Sequence, residues 1–171
     1  KRIMKKRLLN ILICLTLIGL GGCASIINST GQTAFSSDIK NISLVCWTPD
    51  NVKKFSMELC ASLKQELKQS GIEATTKVIS EMDPSLSSGS SEITTDQQSD
   101  LVMTINHIRV SLYNGQPSNT LLNIELLDPK ENKKIWAARI YTKGSNITGP
   151  GNPEKVATEI MAQMKVDGLK I

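Results

Sequence analysis

Few side chains in this sequence can act as nucleophiles, bases or soft metal ligands: four cysteines, Cys14, Cys23, Cys46 and Cys60, and a single histidine, His107. A thiol beside an imidazole can be a nucleophile with its base, the ring holding the proton while sulfur attacks. His107 could serve Cys46 or Cys60 in that way, but the pair works only where a third group fixes the ring, and the sequence marks none. Zinc would need ligands at short, regular spacings, and Cys46, Cys60 and His107 do not have them. There is no G-x-S-x-G elbow, no phosphate-cradling glycine loop and no paired-carboxylate arrangement. The expectation is a chain that is not an enzyme, holding no metal and no dissociable cofactor.

Cys23 is set apart by what precedes it. Lys5-Lys6-Arg7 leads into an apolar run from Leu8 to Leu20. Thirteen helical residues reach only about 20 Å against roughly 30 Å of hydrocarbon, so the run suits a removable secretory leader better than a permanent span. It ends in Leu20-Gly21-Gly22-Cys23, which resembles the lipobox of bacterial lipoproteins: an aliphatic residue, two small residues, then the cysteine. The resemblance implies a diacylglyceryl group on the Cys23 thiol, cleavage between Gly22 and Cys23, and an acyl chain on the freed amino group. Two or three chains, at about 0.8 kcal/mol per buried methylene, hold firmly where one is marginal. Ala24-Ser25 lacks the Asp that keeps such proteins in the inner membrane. In a bacterium with two membranes the resemblance therefore implies the periplasmic face of the outer membrane.

On that reading Cys14 leaves with residues 1–22 and Cys23 is capped. Cys46 and Cys60 remain as an even pair in an oxidising compartment. Cys46 would share a strand face with Ile42 and Leu44, and Cys60 borders the Leu59/Leu63 stripe of the helix that follows. Two outcomes stay open: a disulfide, worth about 3 kcal/mol for a 15-residue loop in the chain-entropy model, or two buried free thiols.

The formal charge of +4 is misleading, because Lys1, Arg2, Lys5, Lys6 and Arg7 all precede the apolar run. Removing residues 1–22 leaves 149 residues with 15 basic and 16 acidic side chains. No basic footprint for a nucleic acid remains. The aromatic side chains (Phe35, Phe55, Trp47, Trp136, Tyr113 and Tyr141) are too scattered for a stacking platform and read as core or strand residues.

The elements follow from periodicity. Residues 23–39 hold the lipidated cysteine and a Ser/Thr/Asn/Gly-rich tether reaching about 20–24 Å. One domain, 40–171, begins with a strand over 42–47. A helix opens near Thr48-Pro49-Asp50, capped by Thr48 or Asp50, carries Val52, Phe55, Leu59, Leu63 and Leu67 inward, and stops at Gly71. Residues 72–80 form a second strand, which makes a right-handed β-α-β unit. The polar stretch 81–99 reads as either a functional or a disordered loop. Strands over 100–112, 119–127 and 134–143 form an antiparallel meander, with Asn114-Gly115 as a hairpin signal. A last helix, capped by Asn152 and opened by Pro153, turns Val156, Ile160 and Met164 inward.

The expected fold is an α+β two-layer sandwich: β-α-β, then a three-strand meander, then a C-terminal helix on the same face. This layout is similar to that of the LPS-assembly lipoproteins and the lipoprotein activators of penicillin-binding proteins. The hairpin around Leu126-Leu127-Asp128 and Lys134-Ile135-Trp136 resembles one in uncharacterised outer-membrane lipoprotein families. No counterpart follows Cys23 of the aromatic, Arg-containing segment common in LPS-assembly lipoproteins, which argues against that family. The functional expectation is a lipid-anchored, periplasm-facing lipoprotein supporting or binding a protein partner in envelope assembly. The alternative is a binding module for a lipid, glycan or peptide held between helices and sheet.

Overall fold

The computed structural model of the chain describes residues 24–31, 39–80, 99–144 and 149–171. The expected leader 1–22, with Cys14 and Gly22, the expected lipidation site Cys23, and residues 81–98 of the polar stretch lie outside the described residues. The elements are β1 (Ala24–Gly31), β2 (Asn41–Thr48), α1 (Lys53–Gln69), β3 (Glu73–Ser80), β4 (Leu101–Tyr113), β5 (Gln116–Asp128), β6 (Lys133–Lys143) and α2 (Pro153–Val166). The strands form one mixed sheet in the order β1-β6-β5-β4-β2-β3. β2 lies parallel to both β3 and β4, while β4, β5, β6 and β1 pair antiparallel in succession.

Both helices pack on one face of this sheet. Ile42 and Leu44 of β2, Leu101, Met103 and Ile105 of β4, and Leu122, Ile124 and Leu126 of β5 are buried there, with Trp136 and Ile140 of β6. Leu59, Leu63 and Leu67 of α1 and Val156, Ile160 and Met164 of α2 close the same cluster. The alternation is plainest on β5, where Leu122, Ile124 and Leu126 point inward and Asn123 and Glu125 do not, as a strand with one covered face requires. On the opposite face Val45, Ile79 and Val102 form a small second cluster under Trp47.

The tether expectation needs correcting. Residues 24–31 are an edge strand, paired with β6 from Ala24↔Thr142 to Gly31↔Trp136. Among the described side chains of β1, Ile26 packs against the core and Ser29 bonds to Asp167. The backbone ladder to β6 holds the strand along its length. The helix start differs as well. A 3-10 turn, Asp50–Val52, precedes α1, and neither Thr48 nor Asp50 caps it. Asn152 does accept from the Glu154 and Lys155 amides at the start of α2, with Pro153 in its first turn. Gly71, at φ +80°, takes the left-handed conformation that stops α1.

The parallel β2–β4 pair explains the long polar stretch. β3 ends level with the end of β2 (Thr48↔Ser80), and β4 begins near the start of β2 (Ile42↔Leu101). The chain between must return the length of the sheet, and such crossovers need a dozen residues or more.

Candidate functional site

Three regions hold the chemistry-bearing side chains. The first is a polar seam inside the core. His107, near the middle of β4, is held at both ring nitrogens: Nδ1 lies 2.8 Å from Thr120 Oγ1 and Nε2 2.8 Å from Ser56 Oγ. Thr120 spends its own proton on the Arg109 carbonyl at 3.0 Å, so it accepts from Nδ1–H. These two hydroxyls fix the orientation of the ring. Ser56 also lies 2.7 Å from Thr48 Oγ1 and 3.2 Å from the Val52 carbonyl one turn earlier in α1. Phe55 meets the imidazole edge-on, with ring centroids 6.3 Å apart.

Cys46 and Cys60 meet beside this seam. Both thiols are free and buried. Cys46 is brought down to about 6 chiefly because Cys60 donates to it; burial opposes this, and His107 and Ser56 add to it. Cys60 is pushed up by the same contact and by its own burial. Cys46 is thus the more acidic of the two, since imidazole and hydroxyl attend it while Cys60 faces only its neighbour.

The structure therefore brings together all three of the core residues singled out by chemistry, with a base that Thr120 and Ser56 orient. Sequence reasoning missed Ser56 and Thr120. The signal for Ser56 was present: it sits on the Val52–Leu59–Leu63 stripe, where a polar residue must find a buried partner. Cys46 and Ser56 are 0% exposed and Cys60 is 1% exposed, so both thiols are shut off from solvent in this structure. Among the described residues, no three His, Cys, Asp or Glu side chains converge as a metal site would require.

The second region is a polar hollow of about 330 Å³ where β1, β6 and β5 lie side by side. Asn28, Thr30, Asn123, Glu125, Lys134 and Arg139 line it. The Lys134 ammonium binds Glu125 and holds its carboxyl below the usual range, with burial opposing and Asn123 assisting. Hydroxyl, amide, guanidinium, ammonium and carboxylate groups together can hydrogen-bond a polar ligand. Among the described residues, core side chains pack between the helices and the sheet, the place that the alternative reading gives to a lipid, glycan or peptide.

The third is a clasp at the same, C-terminal end of β1. Trp136 Nε1 donates to Asp167 Oδ2 at 2.7 Å and Gln163 Nε2 to Oδ1 at 2.8 Å, while Ser29 of β1 also donates to this carboxylate. Gly31 lies so close that a Cβ there would sit 2.9 Å from the Asp167 carbonyl oxygen. Asp167 thus fastens the end of α2 to both β6 and β1.

In sequence the chain matches no known family and no curated protein. In structure it is similar to PelC from Paraburkholderia phytofirmans, solved as a dodecamer, at 17% identity and a TM-score of 0.51, covering 86% of this chain and 98% of that one. A Xanthomonas campestris protein of the DUF330 family is similar at 13% identity and a TM-score of 0.45, covering 83% and 93%. At these identities the likeness to PelC establishes a shared fold: the mixed α+β sheet with two helices is an arrangement found in known bacterial proteins.

Proposed function

We propose that the chain is a non-catalytic lipoprotein, anchored through acyl chains on Cys23 to the periplasmic face of the outer membrane, that binds or supports a protein partner in envelope assembly. The observation that carries this reading is the position of β1. Its first residue, Ala24, directly follows the lipobox cysteine and is already paired with Thr142 of the sheet. A lipid on Cys23 would hold the domain by the edge of its sheet, at the membrane, rather than on a long leash. Confinement of this kind makes a modest affinity effective by raising the local concentration of any partner on the same surface. The burial of both thiols, Cys46 and Cys60, is in keeping with a non-catalytic role. The fold forms a dodecamer in PelC, so copies of this chain belong among the partners to be tested.

A second reading, a module for a glycan or peptide, is favoured by the polar hollow between Asn28 and Arg139. Intact-mass analysis of the full chain extracted from membranes tests the first: loss of residues 1–22 and a mass increase from diacylglyceryl and acyl groups on Cys23 are expected. A retained leader or an unmodified thiol overturns it. Crosslinking in cells, read beside native mass spectrometry, then separates a stoichiometric protein partner from a copurifying small molecule.

A further inference from the structure

We infer that the tip of the β4–β5 hairpin is a membrane-contacting element, docking on the lipid surface beside the anchor. The inference rests on the lipid-anchored reading and adds to it an orientation and a second point of contact.

The pairing registers put one end of the sheet at the membrane. Ala24 pairs with Thr142, Thr142 with Thr120, and Thr120 with Val110, so these four residues stand level across β1, β6, β5 and β4. One peptide unit, about 3.8 Å between Cα atoms, separates Ala24 from Cys23. Beyond that level β4 continues to Tyr113 before the Asn114-Gly115 turn, both turn residues having positive φ as a tight hairpin requires. Three further residues carry the hairpin about 10 Å past Ala24. It stands three strands from β1, roughly 14 Å sideways. Twist of about 20–25° per strand, roughly 60–75° over three strands, shortens that reach to between about a quarter and a half. The tip still arrives at the depth at which an acylated Cys23 meets the headgroups.

Its side chains suit that depth. The exposed large apolar residues among the described ones are Met57, Ile108, Leu112, Tyr113, Tyr141 and Val166. Four of these, Ile108, Leu112, Tyr113 and Tyr141, lie within two residues of the Ala24 level or beyond it. Leu112 is 55% and Tyr113 54% exposed, at the very tip. A leucine beside a tyrosine, one apolar and one amphipathic, is the pairing that settles at a bilayer interface. Arg109 and Lys143, both exposed at the same end, add attraction for anionic headgroups. Among the described residues, the opposite end of the sheet carries Glu73, Asp128 and Lys133, with Val166 next to the Asp167 clasp as its one large exposed apolar side chain.

The test uses the full lipidated chain, reconstituted into vesicles of phosphatidylethanolamine and phosphatidylglycerol. An environment-sensitive fluorophore is placed on Leu112→Cys, on Tyr113→Cys as a second tip position, and on Glu73→Cys at the far end. The native thiols are buried and stay unlabelled. The expected result is a blue shift at both tip positions and several-fold stronger quenching there than at position 73 by lipids carrying a nitroxide on the upper acyl chain. If the protein floats with the vesicles while the tip labels stay as aqueous as the one at position 73, the hairpin contact is wrong and the anchor stands. If the detergent-free protein does not float with vesicles at all, the anchored reading falls and this inference with it.

Discussion

Replacing Asp167 tests whether β1 is a true strand of the domain. Its carboxylate accepts from the buried Trp136 indole at 2.7 Å and from Gln163 at 2.8 Å, and it also binds Ser29 of β1. Asp167→Ala leaves the Trp136 N–H without an acceptor, and Trp136 is only 1% exposed. Stranding a buried donor costs about 1–3 kcal/mol. Taking roughly 2 kcal/mol, the unfolding midpoint of a domain this size should fall by about 6–8 °C. The loss should be uneven: amides of residues 28–31 should exchange faster before those of β4 and β5 do, because β1 has little else holding it. The pH dependence has a definite sign. Burial pushes the Asp167 carboxyl up, but the donors from Trp136, Ser29 and Gln163 outweigh it and hold the group below the ordinary carboxylate range. The folded state therefore binds this proton less tightly than the unfolded chain does. Its stabilisation is fully present above the unfolded value, about 3.9, and is lost as pH falls through the lower folded value. The margin of the natural protein over Asp167→Asn should be steady from neutral pH down to about 5 and shrink below about 4. Thermal melts followed by circular dichroism across that range, with hydrogen exchange at pH 7, make the check. An Asp167→Ala protein melting within a degree of the natural one, with residues 28–31 equally protected, would refute the clasp and return residues 24–31 to a loosely attached segment.

Two further outcomes follow from the same packing. Gly31→Ala should destabilise by about 1–3 kcal/mol, as overpacking does, because the new Cβ would lie 2.9 Å from the Asp167 carbonyl oxygen; urea unfolding reads this, and an unchanged midpoint would show that β1 does not lie against the end of α2. Cys46 and Cys60 should resist alkylation in the native protein at pH 7.5 despite the acidity of Cys46, since both are buried. Thiol counting after non-reducing denaturation then distinguishes the two states left open, two thiols for the reduced pair and none for a disulfide; rapid native labelling of Cys46 would contradict the packing around His107.

Those parts of the fold with strong local chemistry were legible in the sequence. The α1 stripe of Leu59, Leu63 and Leu67, the alternation of β5, the Asn114-Gly115 turn and the Asn152-Pro153 start of α2 each state their geometry within a few residues. β1 was not legible because its evidence is non-local. Ala24–Gly31 contains Ser, Asn, Thr and Gly and buries little, so its strand conformation comes from the β6 ladder and from Asp167, more than a hundred residues away. The α1 start failed for a related reason. Thr48 reads as a cap by position, but its hydroxyl faces Ser56 across the start of the helix, and the intervening 3-10 turn takes the capping role away. The candidate site divides along the same line. Cysteine and histidine were conspicuous by rarity, while the hydroxyls of Ser56 and Thr120, which hold the imidazole in place, belong to residue types too common to draw notice.

The seam is best understood through what it joins. Thr48 ends β2, Ser56 lies in α1, His107 in β4, Thr120 in β5, and Thr142 of β6 donates to the Thr120 carbonyl at 3.4 Å. Four strands and a helix are tied by one row of buried polar groups, and among the described residues every buried side-chain nitrogen or oxygen has a partner. Such a row discriminates against a slipped register, because shifting β4 by one residue would turn His107 to the other face and strand Ser56 and Thr120 together. The row lies at the end of the sheet that holds Ala24. A satisfied polar network provides rigidity there that apolar packing alone, tolerant of repacking, does not. The residues that most resemble an active site therefore also fix the register of the sheet: the hydroxyls that hold His107 tie α1 to β2 and β5, with Cys46 and Cys60 buried beside them.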